Sequence, residues 1–347
     1  MSVVLQELDL SERVAGLPEP ADYFPIETGR YEVQAGLKIL GKQPVQGRIE
    51  PNFFLIDAQY HAYLRAKREA RCEDLSKYYR RHALSPALER AAAAWLMQRL
   101  CIEYPEHFAL ETTPALVFTN RLIGLRVTID PETLLVTDQA QGPAAHPGGE
   151  LFADVDFRGA DALDVAASCL QEDLALVAMD PEQGRDWLAF LHLSYPNHWS
   201  PAEKIGQPFL AVHAPVADFE RVARTSDKLL EAVVHRGPFV RFAWGIATDT
   251  ALNHHPANPP GRTLPQIDPT VAGESTYLRI ERQTLQGFPA HHAALFTIRT
   301  YFTPVRRIAA DPERRAQLRD ALASMTPDAL AYKGLEAIQA PLVAYLR

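Results

Sequence analysis

The chain has 347 residues, of which 47% are hydrophobic and 22% charged. These proportions are typical of a folded globular protein, and the length allows one large domain or two of about 150 residues. Acidic residues outnumber basic ones by 43 to 35, which gives a net charge of -8. Because the basic residues form no long cluster that would neutralise phosphates, the composition argues against nucleic acid as a partner.

No apolar run in the sequence approaches the roughly 20 residues that a helix needs to cross a bilayer. The N-terminal stretch MSVVLQELDLSERV is acidic and amphiphilic, and it lacks the basic region that opens a secretion signal. We therefore expect a cytoplasmic protein without a membrane partner. The three cysteines, Cys72, Cys101 and Cys169, match no zinc or iron–sulfur spacing.

The first segment, residues 1–55, contains several prolines and few periodic runs. Proline disfavours helix interiors and inner strands, so this segment is predicted to be an extended arm that packs on the body. A helix is predicted next, from about 57 to 81. A second helix is predicted over 86–100, behind the N-cap candidate Ser85.

Runs of apolar and β-branched residues then predict the first strands. Two such runs lie at 115–129 and 132–138. Two stronger runs, 169–180 and 185–196, flank the turn at 180–184, whose Asp-Pro-Glu-Gln-Gly sequence suits a hairpin.

The second half of the chain adds two helices and the rest of the sheet. A short helix is predicted over 201–205 and a longer one over 218–234. Three further strands are predicted at 239–248, 276–285 and 291–305. Because adjacent strands are mostly joined by short turns, the sheet should be largely antiparallel and the fold class α+β. Residues 56–310 would form the body, and 311–347 would form C-terminal helices.

Several common sites are absent from the sequence. There is no GxGxxG after a strand and no GxxxxGK[ST], so neither a dinucleotide nor a nucleoside triphosphate has an obvious phosphate cradle. GxSxG and HExxH are absent as well. Any redox reaction would therefore need electrons from elsewhere.

A histidine-rich stretch contains His192, His198 and His213. Neutral imidazole is a good ligand for iron, zinc or copper. Two of them also have ordinary explanations, His192 as a half-buried strand residue and His198 as a hydrogen-bonding loop residue. For His213 the ligand and structural interpretations carry equal weight. The pair His254 and His255 is interpreted as exposed loop.

A second stretch, 276–305, is unusually basic for a segment of strand-like apolar positions. Alternation along the strand places Tyr277, Arg279, Glu281 and Gln283 on one face. A strand arginine that faces inward, such as Arg299, needs an anionic partner. That partner is either an internal carboxylate such as Glu281 or a ligand carboxylate or phosphate, which guanidinium binds in bidentate fashion.

These two stretches resemble a known family. HLSYPNHWSPAEKIGQPFLAVHAPV, at 192–216, and LRIERQTLQGFPAHHAALFTIRTY, at 278–301, are similar to two consecutive motifs of the haem-dependent oxidative N-demethylase alpha-subunit family. The blocks AEKIG, ERQTL and FTIRTY make the resemblance specific.

The resemblance implies a PAS-like antiparallel sheet, elaborated by helices, that holds haem b. In this type of enzyme the haem iron activates dioxygen, and an N-methyl group of a small secondary amine is oxidised and leaves as formaldehyde. Electrons come from NADPH through FMN and an iron–sulfur cluster on separate reductase subunits. This agrees with the missing dinucleotide fingerprint and cluster cysteines, since such a chain needs a reductase partner.

The resemblance also assigns roles to individual residues. His213 matches the histidine of the family's His-x-Pro-Val motif and is expected to be the proximal iron ligand. Lys204, Arg279 and Arg299 match basic positions and are expected to neutralise the haem propionates. Glu281 is expected to hold a protonated amine or to relay protons to the iron-bound oxygen.

Trp199 and Trp244 are expected to line the haem plane, with packing in the core as the alternative. Where the family has small or apolar residues, this chain has His192 and His198, and a histidine near the iron would make it six-coordinate. The alternative function is therefore a non-catalytic haem-binding sensor or haem store. A third interpretation, a mononuclear metal hydrolase, would use His192, His198 and His213.

Overall fold

The computed structural model describes residues 6–32, 36–212, 226–258 and 271–347. Within these ranges lie ten α-helices and eleven β-strands. The strands β1 to β11 span, in order, Lys38–Ile39, Tyr79–Arg81, Phe108–Glu111, Leu116–Asn120, Leu125–Ile129, Val136–Gln141, Asp173–Asp180, Arg185–His192, Phe239–Ala247, Tyr277–Phe288 and Ala293–Pro304. The helices α1 to α10 span, in order, Tyr60–Tyr78, Pro86–Glu103, Ala162–Ser168, Pro201–Lys204, Phe209–Val212, Ser226–Arg236, Val305–Ala309, Pro312–Ala323, Pro327–Lys333 and Gln339–Tyr345.

The strands form two antiparallel sheets. The larger sheet has seven strands in the order β1-β9-β10-β11-β7-β8-β2, and the smaller has four in the order β3-β4-β5-β6. Strands that follow each other closely in the chain pair as hairpins, which is the antiparallel arrangement. The prediction of an α+β fold with a largely antiparallel sheet is confirmed.

Two hairpins form the middle of the larger sheet. In the turn between β7 and β8, Asp180 Oδ1 accepts hydrogen bonds from the backbone N–H groups of Glu182 and Gln183, both at 3.1 Å. β10 and β11 pair along their full length of 12 residues. Since β9 pairs with β10 and β7 with β11, this second hairpin has a neighbouring strand on each side.

Three hydrophobic clusters pack against the larger sheet, and the smallest of them includes Phe302 of β11. The main core includes Phe53 and Phe54 of the N-terminal segment, and the Phe53 ring centroid lies 4.8 Å from that of Trp95 in α2. We call the second cluster the apolar wall; its buried residues include Phe209, Leu230, Val233, Phe239, Leu285 and Phe296. It combines side chains of α5 and α6 with one face of β9, β10 and β11.

Helix α6 lies directly against β10. A Cβ added at Gly287 would overlap the carbonyl oxygens of Val233 and Val234 in this helix. Only glycine lets the helix backbone approach the strand this closely. The position of α6, and with it part of the apolar wall, therefore depends on Gly287.

The predicted helices are confirmed where the structure describes them. α2 begins behind Ser85, whose hydroxyl oxygen accepts a hydrogen bond from Leu88 N at 3.2 Å. The helix predicted over 218–234 is seen from Ser226 onward, and its first residues lie outside the described ranges. Of the helices described, none is both long and apolar enough to cross a bilayer.

Candidate functional site

A row of linked polar side chains crosses the larger sheet on the face that carries the apolar wall. The Arg279 guanidinium donates to Glu281 Oε1, and the Gln283 amide nitrogen donates to Glu281 Oε2 at 3.0 Å. Arg241 of β9 donates from Nε to the amide oxygen of Gln283 at 2.7 Å. Arg279 also donates to Thr300 Oγ1 of β11 at 3.2 Å. The predicted placement of Arg279, Glu281 and Gln283 on one face is confirmed.

The described residues leave a space beside this row, between β9, β10 and Lys333. Ala243 and Gly245 of β9 are the cross-strand partners of Glu281 and Arg279. Both are half-buried, as is Glu281, although β9 and β10 are inner strands. Among the described residues, a Cβ added at Gly245 would meet only the side chain of Lys333, at 3.9 Å. We call this space the cleft; its residues are Arg241, Ala243, Gly245, Arg279, Glu281, Gln283 and Lys333.

Lys333 reaches the cleft from the C-terminal part of the chain. It is the last residue of α9, and its Nζ donates to the backbone oxygen of Trp244 at 3.1 Å. This bond holds the ammonium group against β9, next to Gly245. A helix that begins more than twenty residues after the last strand of the sheet thus contributes a cation to the site.

The charges of the cleft keep Glu281 ionised. Burial acts to raise the pKa of Glu281, but the Arg279 guanidinium, the Lys333 ammonium and the Gln283 amide outweigh burial, so the pKa lies below its ordinary value. Burial lowers the pKa of Lys333 and of Arg241, and the Glu281 carboxylate opposes this in both cases. Glu281 is therefore a charged hydrogen-bond acceptor at neutral pH.

The apolar wall continues from the cleft along the same strands. Leu285 lies two residues beyond Gln283 on β10, and Phe239 lies two residues before Arg241 on β9. Side chains two residues apart on a strand share a face. On one face of the sheet, a buried apolar cluster thus borders a group of cations and one carboxylate.

Lys204 and Trp199 lie together beside the apolar wall. Trp199 packs against the wall, and Lys204 Nζ lies 5.9 Å from the centroid of its ring. Lys204 also donates to the backbone oxygen of Val212 at 2.8 Å. Val212 precedes His213 in the sequence, and His213, the predicted iron ligand, lies outside the described residues.

Arg299 lies on the opposite face of the sheet from Arg279. Its register partner on β10 is Arg282, and its Nη2 donates to Asp57 Oδ2 at 2.9 Å. The guanidinium lies 3.5 Å from the centroid of the Tyr63 ring. The anionic partner of Arg299 is therefore internal, and the structure does not bring this arginine to the cleft.

Trp244 also faces away from the cleft, because Ala243 and Gly245, its neighbours on β9, face the cleft. Its ring centroid lies 5.6 Å from that of Tyr31, and its side chain packs against the main core. Core packing is thus the arrangement observed for Trp244. Only its backbone oxygen contributes to the cleft, through Lys333.

The histidines His192 and His198 lie apart. His192 is buried with Nε2 3.0 Å from Asp164 Oδ1, whereas the His198 ring centroid lies 4.8 Å from that of His254. No group of three or more metal-ligating side chains occurs in the part of the chain that the structure describes. The prediction that His254 and His255 are exposed is wrong, since both are buried.

Neither Arg241 nor Lys333 was predicted from the sequence as a site residue. Arg241 lies in a predicted strand, and two small residues, Ala243 and Gly245, follow it on the same face. This pattern could have indicated a cleft beside the arginine. No sequence signal marks Lys333, because nothing local connects a lysine at the end of a C-terminal helix to a distant strand.

The fold and the site define a class of protein: an α+β protein with a charged cleft beside an apolar wall on one face of an antiparallel sheet. A family model described as haem-dependent oxidative N-demethylase, alpha subunit-like, matches residues 48–343. The chain belongs to this family, as the resemblance of its two motifs predicted. The family description names haem dependence, oxidative demethylation and a subunit of a larger complex.

The residues of this face fit a haem. A porphyrin needs apolar surface, which the wall provides, and its propionates need cations, which the cleft provides. Phe209 and Phe296, whose ring centroids lie 5.7 Å apart, are aromatic members of the wall.

Proposed function

We propose that this protein is the haem-binding, catalytic subunit of an oxidative N-demethylase. The substrate is a small secondary amine whose N-methyl group leaves as formaldehyde. His213 is the proximal ligand of the haem b iron, and the larger sheet is PAS-like. Separate reductase subunits carry FMN and an iron–sulfur cluster and deliver electrons from NADPH.

The family match across residues 48–343 supports haem dependence and demethylation. One observation carries the choice of site: the ionised carboxylate of Glu281 lies in a cleft that adjoins an apolar wall. In this proposal Lys204 remains a propionate partner and Trp199 adds apolar surface. Arg299 and Trp244 take no part, since both face the main core.

When bound, haem supplies the iron at which dioxygen is activated. Glu281 binds the ammonium form of the amine, because each carboxylate oxygen keeps a lone pair after accepting from Arg279 or Gln283. These two donors also prevent the carboxylate from rotating. Glu281 thereby holds the amine nitrogen in place and orients the N-methyl group.

The overall reaction balances with a reductase. One oxygen atom of dioxygen enters a methyl C–H bond, and the C–N bond of the resulting carbinolamine breaks to give formaldehyde and the demethylated amine. The other oxygen atom leaves as water after taking up two electrons and two protons, which NADPH and solvent supply through the partner subunits.

Hydrogen peroxide tests the reaction without a reductase, because it supplies both the oxygen atom and the electrons. We expect the haem-loaded chain to show a Soret band and to release formaldehyde from dimethylamine when peroxide is added. The variant Glu281→Gln should keep the band and lose at least tenfold in formaldehyde. A Soret band without formaldehyde favours the alternative of a haem sensor or store, and no Soret band rejects both.

A further inference from the structure

Two cations of the cleft have no carboxylate partner within the described ranges. Arg241 uses its Nε on Gln283, and Lys333 uses one N–H on the backbone oxygen of Trp244. A guanidinium has five N–H donors and an ammonium has three, so most of these donors are unused. The one carboxylate of the cleft, Glu281, is already paired with Arg279.

The arginines of the neighbouring strands are all paired with carboxylates of this protein. Each arginine of β10 and β11 has a carboxylate partner: Arg279 has Glu281, Arg282 has Glu50 and Arg299 has Asp57. Arg241 lies beside them on β9 and differs, because its partner among the described residues is an amide oxygen. An arginine whose charge is desolvated without an anion is costly unless a ligand supplies the anion.

The two cations lie on either side of Glu281. Arg241 and Gly245 are separated by four positions on one face of β9, roughly 13 Å at the usual rise of a strand, and Lys333 lies next to Gly245. Ala243, between them, is the cross-strand partner of Glu281. With three cations and one carboxylate, the cleft carries an excess of two positive charges, and the described residues leave space beside Gly245.

We propose that Arg241 and Lys333 form a carboxylate-binding pair that flanks Glu281 in the cleft. Two ligands have this chemistry: the propionates of haem, and the carboxylate of an N-methyl amino acid whose ammonium group faces Glu281. The inference rests on the proposed function and adds to it the residues that receive negative charge.

The variants Arg241→Met and Lys333→Met remove the charge and keep an unbranched side chain. Arg307→Met is the matched control, since it removes a positive charge from a side chain that is 67% exposed. Because no carboxylate is left behind, both cleft variants should fold and melt at or above the wild-type temperature without ligand. If one does not fold, the corresponding Arg241→Gln or Lys333→Gln, which keeps a polar end, takes its place.

Each protein is titrated with haem and with haem dimethyl ester, in which both propionates are blocked. If the pair binds propionates, the cleft variants bind haem at least tenfold more weakly than Arg307→Met does. All proteins then bind the ester equally. Arg241→Lys and Lys333→Arg should recover haem binding in part, because they restore the charge without the original geometry.

If the pair binds the substrate instead, all proteins bind haem equally. N-methylglycine then shifts the Soret band of the wild type at concentrations at least tenfold lower than for the cleft variants, whereas dimethylamine acts equally on all. Equal responses to haem and to N-methylglycine throughout would overturn the inference. If the wild-type chain binds neither haem nor its dimethyl ester, the proposed function is rejected instead. Calorimetry of that chain with N-methylglycine then tests the carboxylate-binding pair by itself.

Discussion

Arg282 and Arg299 lie directly opposite each other in the β10–β11 ladder, and both side chains are fully buried. Like charges at opposed positions of a sheet repel. Each is compensated by a carboxylate from the N-terminal part of the chain, since Arg282 Nε lies 2.9 Å from Glu50 and Arg299 Nη2 lies 2.9 Å from Asp57. Two buried ion pairs thus attach this part of the chain to the sheet.

Asp57→Ala should lower the free energy of unfolding by about 3–5 kcal/mol, because it leaves the buried Arg299 without its carboxylate. Urea denaturation of the protein without haem measures this loss. The control is Glu19→Ala, which removes a 73% exposed carboxylate that pairs with Arg13. This control should lower the free energy of unfolding by less than about 1 kcal/mol. A loss no larger for Asp57→Ala than for the control would contradict the prediction.

Gly287→Ala should destabilise the protein by about 1–3 kcal/mol, because the new Cβ overlaps the carbonyl oxygens of Val233 and Val234 and α6 must move. Haem affinity should fall as well, since α6 carries part of the apolar wall. Gly142→Ala is the control: a Cβ there meets only Gly124 O, at 3.8 Å. The explanation fails if both variants unfold at the same urea concentration.

Arg279→Gln should weaken amine binding at mildly acidic pH, where the wild type still binds. In the wild type the pKa of Glu281 lies below the ordinary value of glutamate, so the carboxylate keeps its charge throughout mildly acidic pH. Without the Arg279 guanidinium, burial becomes the dominant effect and raises the pKa.

The shift of the Soret band with dimethylamine, measured between pH 5 and 8, tests this change. The wild type and the surface variant Arg307→Gln should bind with a constant affinity, whereas Arg279→Gln should lose affinity as the pH falls. A flat profile for Arg279→Gln would show that Arg279 does not set the charge of Glu281.

His213→Ala should lose haem or change its ligation if this residue is the proximal ligand. The visible spectra of the oxidised and reduced protein report both effects. His291→Ala, in the turn between β10 and β11, removes an imidazole from another loop and should leave the spectra unchanged. An unaltered spectrum of His213→Ala would assign the iron ligand elsewhere.

Long elements with a clear period were predictable from the sequence. The strands at 276–285 and 291–305 combine β-branched residues, alternation and a turn, and they appear as β10 and β11. β2 was not predicted, because Tyr79–Arg81 has only three residues and is a strand through its pairing with β8, more than a hundred residues away. β1, with two residues, was not predicted either, because it is a strand only through its pairing with β9.

For the site, alternation was enough to place Arg279 and Glu281 on one face, since the period of a strand is a local property. The partner of Arg299 was not predictable. The sequence offered Glu281 or another carboxylate, and the structure pairs Arg299 with Asp57, which α1 and the preceding segment bring to the other face of the sheet. Lys333 reaches its place only through the packing of α9.

The sequence by itself determined the family, through two motifs, and the alternation that arranges Arg279, Glu281 and Gln283 along β10. Only the tertiary structure decided which buried arginines have an internal carboxylate and which face the cleft. The reason is physical: a strand's two faces are set by neighbouring residues, whereas the partner of a buried charge is set by whichever distant segment packs against that face.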